Sequence, residues 1–262
     1  LIGTIIASFQ AGAISYLYYA DRVYQINLAI AGIAVSTVSL PILSKLIKNK
    51  KIKRANEIQN KSIELSLLLS LPAAAALIIG SEVIVNALFG YGSFTEKDVQ
   101  QTSLALKFFG YGIPAFAILK IFANFFFARD NTVVPFKVSS IIVFINVVIS
   151  ILFFKIIGFI IIPIATTIST WIGVFYYLFL LLKRDYLKVN IIFYTNSTKI
   201  LFSTLIMSYI FSESLNYFAI NLNYSSDYKI LYLLFIVIFV ALMYFLICYF
   251  LKVLNLRSFK TN

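Results

Sequence analysis

The stretch SYLYYADRVYQINLAIAGIAVSTVSLPIL, Ser15 to Leu43, decides the fold class of this chain. It is one apolar run, long enough to cross a bilayer, which needs about 20 residues in a helix. Near its start an acid and a base stand side by side, in Tyr18-Tyr19-Ala20-Asp21-Arg22-Val23-Tyr24-Gln25. A charged side chain near a bilayer centre costs about 2.5–3.5 kcal/mol on insertion scales, so such a residue faces a protein interior or a wet cavity and marks a function.

The rest of the chain has the same character. Of its 262 residues, 61% are hydrophobic and 12% charged, against about 45–50% and about 25% in a soluble domain. Further apolar segments lie near 58–80, 99–128, 134–155, 158–182, 196–216 and 228–252. Each can span a membrane, some with tilt. They are continuous runs, unlike the ten-residue alternations of a β-barrel. Leu1–Phe9 reads as the end of one more helix, too short to span and without the basic region or cleavage site of a signal peptide. The expectation is an all-α polytopic transmembrane helix bundle, the end of one helix plus seven spans, in a fragment whose N-terminal part lies outside this sequence.

The net charge is +12, but the basic residues form short clusters between apolar runs. That is the positive-inside pattern, and it does not call for nucleic acid. One set of loops carries Lys45, Lys48, Lys50, Lys51, Lys53 and Arg54; Arg129 with Lys137; Lys183, Arg184 and Lys188 with Lys199; and Lys252, Arg257 and Lys260 in the tail. The opposite loops hold Glu82, Glu96, Lys97, Asp98, Lys155, Glu213, Asp227 and Lys229, which is balanced or acidic. The Lys-rich side and the C-terminus are therefore expected in the cytoplasm, with residues 10–15 and 81–98 outside. The cluster Lys45–Arg54 reads as a topology determinant that also touches anionic headgroups.

Local signals agree with these boundaries. Thr95-Glu96-Lys97-Asp98 is an N-cap followed by first-turn acids. Phe89-Gly90-Tyr91-Gly92 before it is an aromatic, glycine-rich turn, and Asp130-Asn131-Thr132 with Pro135 is a tight turn into the next helix.

Enzyme chemistry finds little here. There is no histidine, and the lone cysteine, Cys248, sits in an apolar run. No Walker A, HExxH, CxxC or Gly-x-Ser-x-Gly motif occurs, so neither an ATPase nor a hydrolase is indicated. No catalytic residue, metal ligand or organic cofactor is expected.

The candidate site residues are polar groups at membrane depth. On a helix Asp21, Gln25, Ala29, Gly32, Ser36 and Ser39 fall near one face, a polar or small stripe with Arg22 on its edge. One reading is a helix lining a water-accessible cavity, with Arg22 offering a bidentate donor to a phosphate or carboxylate. The other is close helix packing through the small residues, with Arg22 snorkelling or paired locally. Lys120, with Asn124 at i+4, is either a second cationic contact deep in the cavity or a snorkelling lysine. Snorkelling suits Lys107 better. Gly110, Gly112 and Pro114 interrupt their helix, as a hinge or as a simple proline bend. Asn146 and Ser150, with Thr166, Thr167, Ser169 and Thr170 on the next helix, could ligate a small cation. The competing reading is interhelical hydrogen bonding of about 0.6 kcal/mol each, favoured because no carboxylate is near.

Several blocks carry a family resemblance. They are Thr4-Ile5-Ile6-Ala7-Ser8, Tyr18-Tyr19-Ala20-Asp21-Arg22 and Leu40-Pro41-Ile42-Leu43-Ser44-Lys45. Leu88-Phe89-Gly90-Tyr91-Gly92-Ser93-Phe94-Thr95 with Asp98 follows, then Phe127-Ala128-Arg129 with Thr132 and Pro135. In order and spacing they resemble the MurJ (MviN) lipid II flippase family of the MOP exporter superfamily. The resemblance covers the whole chain but only the second half of the family's protein. It implies the end of helix 7 through helix 12 over residues 1–182, then helices 13 and 14 with a cytoplasmic tail over 183–262, the N-terminal lobe being absent. It also implies a flippase that moves lipid-linked peptidoglycan precursor to the outer leaflet of the bacterial inner membrane, for cell wall biosynthesis. Arg22 falls on a cavity arginine thought to hold the pyrophosphate, and Asp21 on the acid beside it. Helices 13 and 14 would form the groove for the undecaprenyl tail.

Two departures stand out. Where some members carry an acid that joins a sodium site with helices 11 and 12, this chain has Gly3, which speaks against sodium coupling. The family's Arg-Gln-Asp-Thr turn is Arg129-Asp130-Asn131-Thr132 here. The expected partners are the undecaprenyl-pyrophosphate-linked precursor and membrane lipids, with the drive coming from membrane potential or a proton gradient. Alternatives are a flippase for another polyprenyl-linked saccharide, a membrane-embedded transferase, which would want an acid or His at a membrane face where none stands out, and an inactive truncated product. Oligomeric state is not readable from the sequence.

Overall fold

A computed structural model describes residues 2–253. The basic tail residues Arg257 and Lys260 lie outside the described residues. A short helix α1, Ile2–Ala7, precedes α2, Ala13–Leu28, and α3, Val35–Lys48, which a π-turn over Ala29–Ala34 joins into one rod. Then come α4, Ile52–Phe89; α5, Glu96–Phe127; α6, Val133–Ile157; α7, Ile161–Lys183; α8, Ile191–Tyr217; and α9, Lys229–Phe250. No strand occurs among the described residues. All seven expected segments are helical. Five stretches are long and apolar enough to cross a membrane; Val133–Lys183 holds two of the helices back to back, and α8 is not among them. The polar residues Asn196, Ser197, Lys199, Ser203, Thr204, Ser208 and Ser212 dilute α8.

Expected helix starts are met by the chemistry that predicts them. Thr95 caps α5 through a reciprocal box: Asp98 N–H donates to Thr95 Oγ1 at 3.3 Å, and Thr95 N–H donates to Asp98 Oδ2 at 2.8 Å. The Asp130-Asn131-Thr132 turn forms as expected, with Asp130 left-handed at φ 54° and Val134 N–H donating to Asn131 Oδ1 at 3.2 Å. The change from the family's turn sequence thus keeps the turn.

Helix α5 is the centre of the bundle and packs against α2, α4 and α7. Its residues divide between two apolar cores, one holding Leu106, Phe109 and Ile113, the other Ala115, Ile121, Phe125 and Phe126. The division falls at Pro114, through which the helix continues. Gly110 and Gly112 serve close approach there. A Cβ on Gly112 would sit 2.9 Å from Thr167 Oγ1, and one on Gly110 3.2 Å from Ile78. Thr167 donates to the Phe108 carbonyl at 2.8 Å and the Trp171 indole to that of Tyr111 at 3.1 Å, so α7 is stitched to the α5 backbone beside the proline.

The last two helices dock on α4. Tyr244 donates to the Leu68 carbonyl at 2.8 Å, and Asn196 to Glu64 Oε2 at 3.1 Å. At the other end Lys229, counted above as a loop charge, is fully buried. Its ammonium donates to the carbonyls of Gly90 (2.6 Å) and Tyr224 (2.8 Å) and to Asn86 Oδ1 (3.3 Å). The rings of Tyr91 and Tyr224 lie 4.2 and 4.8 Å away. Lys229 is therefore a bracket between α4 and α9. A lysine can do this because three donors on a compact head match three acceptors.

Candidate functional site

Helix α2 turns one face to α5 and leaves the other open. Ala20, Val23 and Tyr24 are buried, Tyr24 stacking on Phe109 at 5.0 Å and meeting Phe116 edge-on at 5.6 Å. Asp21 is half-buried, while Arg22 and Gln25 are exposed. Gln25 Nε2 donates to Asp21 Oδ2. Arg22 Nη2 donates to the Tyr18 hydroxyl at 3.1 Å, with the guanidinium 4.7 Å from the Tyr18 ring centre.

Asp21 and Arg22 do not pair with each other. Lys61–Glu64, at 3.3 Å, is the ion pair found among the described residues. Each member of the Asp21–Arg22 pair instead uses a neighbour four residues away, as helix geometry favours. The acid is satisfied by Gln25, and the base is steadied by Tyr18 with most of its donor fork uncommitted. Chemically, this is a placed cation able to accept a bidentate anion. The signal for Tyr18 in the sequence is its i, i+4 spacing to Arg22.

The stripe from Asp21 to Ser39 is not one continuous face. Its first part, Asp21, Gln25 and Ala29, is open or half-open; Gly32 and Ser39 are buried. The π-turn accounts for this, because it inserts one residue and rotates everything after it by about 100°. Beyond the turn the stripe meets α5. A Cβ on Gly32 would lie 3.1 Å from Ala117 Cα. Asn124 donates to both the carbonyl and the hydroxyl of Ser36, each at 2.7 Å. Asn124 is thus a buried helix-to-helix tie, while Lys120, one turn earlier, is exposed. The two do not form one polar surface, since Asn124 is buried against Ser36 while Lys120 is open.

The oxygen-bearing residues of α6 and α7 mostly bond among themselves. Asn146 Nδ2 donates to Thr166 Oγ1 at 2.9 Å, and Thr166 donates to the Ile162 carbonyl at 2.7 Å. Ser169 and Thr170 both donate to the Thr166 carbonyl. Ser150 is buried with no hydrogen-bond partner among the described residues. Gly3 packs on Ile162, its would-be Cβ 3.3 Å from that side chain.

Comparison with known proteins adds the following. Residues 1–233 match the family model described as lipid II flippase MurJ. A probable lipid II flippase MurJ of Rhizobium meliloti (strain 1021) is 40% identical over 173 residues, 66% of this chain and 32% of the relative. One from Rickettsia prowazekii (strain Madrid E) is 41% identical over 170 residues, 65% of this chain and 34% of the relative. The chain thus spans about a third of the length of the curated relatives it matches. A solved structure of lipid II flippase MurJ in an inward closed conformation superposes with a TM-score of 0.79 at 27% identity, over 96% of this chain and 50% of that one.

Proposed function

This chain belongs to the lipid II flippase MurJ family, and on that premise we propose that it works as part of a transporter of lipid-linked peptidoglycan precursor. The cargo, lipid II, would pass from the inner to the outer leaflet of the bacterial cytoplasmic membrane by alternating access. The observation that carries the reading is the family match over residues 1–233, supported by likeness to a flippase structure along 96% of the chain.

In this reading residues 1–182 belong to the second lobe and 183–262 to a C-terminal helix pair with a cytoplasmic tail. Loop charge supports the Lys-rich side facing the cytoplasm. The protein is a transporter, with no covalent chemistry assigned to it and no organic cofactor. Membrane potential or a proton gradient supplies the drive.

The physical task is to carry a pyrophosphate past hydrocarbon. Arg22 replaces water around that group with a fixed guanidinium fork, steadied from one side by Tyr18. Asp21 and Gln25 keep the neighbouring surface polar and hydrated. Lys120 adds a second exposed cation on α5, while Asn124 holds α3 to α5 without touching cargo. The test is complementation of a strain depleted of its own flippase by the full-length protein carrying Arg22→Ala. Loss of growth at normal protein level, with precursor held in the inner leaflet, is the expected result; normal growth would sink the assigned role.

A further inference from the structure

Where α5 ends, α6 begins and α7 ends, the chain encloses a notch of about 460 Å³. Three cations line it, Arg129, Lys137 and Arg184, against a single carboxylate, Asp130. None of the three is ion-paired to Asp130 or to any other acid among the described residues. Nothing in the flippase reading uses this place: Arg22 sits on α2 and Lys120 farther up α5.

The notch is held open by its own bonds. Arg129 donates through Nη1 to the Phe125 carbonyl at 2.6 Å and through Nη2 to the Tyr186 carbonyl at 3.0 Å, its guanidinium 4.3 Å from the Tyr186 ring. It thereby caps α5 and ties down the segment after α7. Burial lowers its proton affinity from the ordinary arginine value, but a guanidinium stays charged in proteins. The N-terminal end of α6, 25 residues long, adds the positive end of its dipole. Lys137 and Arg184 are exposed, so their heads can close on a ligand.

The walls leading away from the notch are apolar and uncovered. Val133 and Phe136 on α6 are 58% and 73% exposed, and Phe179 on α7 is 56% exposed. A hydrophilic anion would find no use for such walls, whereas an amphiphile would. Basic pockets between helices at the membrane surface are suited to phosphate headgroups.

We propose that this notch is a binding site for the phosphate of an anionic glycerophospholipid of the surrounding leaflet, whose acyl chains lie along the outer faces of α6 and α7. Lys137 and Arg184 are the recognising cations, and Arg129 shapes the wall. Such a lipid would clamp the start of α6 to the end of α7.

The full-length protein in phosphatidylcholine nanodiscs doped with phosphatidylglycerol, read by native mass spectrometry of retained lipid, tests this. The wild type should retain phosphatidylglycerol over phosphatidylcholine. Lys137→Gln with Arg184→Gln should lower that retention by about thirtyfold, two cations at about 1 kcal/mol each. The charge-keeping pair Lys137→Arg with Arg184→Lys should preserve it, and Lys97→Gln with Lys155→Gln, exposed cations elsewhere, should leave it unchanged. Equal loss in both glutamine pairs would mean diffuse surface attraction and overturn the proposal, as would full retention in the first. Loss in the charge-keeping pair would overturn it too, by making shape rather than charge decisive. Displacement by inorganic phosphate would assign the notch to a soluble anion, and displacement by a polyprenyl pyrophosphate to the cargo path; either result overturns the lipid assignment.

Discussion

Arg22 keeps its guanidinium at the open face of α2 because the hydroxyl and ring of Tyr18, one turn earlier, hold it there. That arrangement separates two contributions. Tyr18→Phe keeps the ring and its attraction for the cation but deletes the hydrogen bond, a loss of about 0.5–1.5 kcal/mol. Transport by the full-length protein should fall by about twofold to tenfold, well short of the effect of Arg22→Ala. Arg22→Lys should fall between them, because a lysine keeps the charge and loses the fork. Measuring transport in all three variants at matched protein level checks the order. The Asp21-Arg22 pair was visible in the sequence as a cost in an apolar helix. That the two residues ignore each other was not, since adjacent residues on a helix point about 100° apart and each had a better partner at i±4.

Capped helix starts were legible because caps act locally, whereas α4, Ile52–Phe89, runs well past its apolar stretch of 58–80 at both ends, since apolarity marks only part of a helix. Thr95 with Asp98, and Asn131 ahead of α6, need only their own neighbours to work. The π-turn over Ala29–Ala34 was not legible. It lies where Gly32 meets Ala117 across the helix pair, a contact that no local pattern encodes, and it is what splits the polar stripe. Lys229 teaches the same lesson. In sequence it is a loop charge; in the fold it joins α4 to α9. Lys229→Met should leave the buried carbonyl of Gly90 unpaired, at about 1–3 kcal/mol, and that of the part-buried Tyr224 without its partner. A lowered unfolding temperature in detergent is expected, and Lys229→Arg should not restore it, because a planar fork does not fit a cage built round a compact ammonium. An unchanged unfolding temperature in the methionine variant would mean that the cage holds nothing together.

For the molecule as a whole, the alternation of Lys-rich and acidic loops predicts which ends of the helices face which compartment. With the buried Cys248 replaced by serine, single cysteines can report this. An impermeant maleimide applied to intact cells should label cysteine at Ser93 and at Ser225, and should reach cysteine at Asn49 or Lys188 only after permeabilisation. All four positions are exposed. Labelling at Ser225 matters most, because α8 is too polar to be counted as a span by composition; protection there would mean that α8 does not cross.

Composition and run length alone determined that this chain is a helical membrane bundle. Burial of backbone polar groups in hydrocarbon leaves few other solutions, and the apolar runs place the helices along the chain. The tertiary structure decided which polar residues are available. Asn124 looked like a cavity residue and bonds across a helix pair; Asn146 and Thr166 form the interhelical bond that the sequence favoured over an ion site; Lys229 looked free and is enclosed; Arg22 stays open. Side-chain chemistry belongs to the residue, but whether a donor is already satisfied depends on which carbonyl or hydroxyl a neighbouring helix brings within about 3 Å of it. Only packing sets that distance.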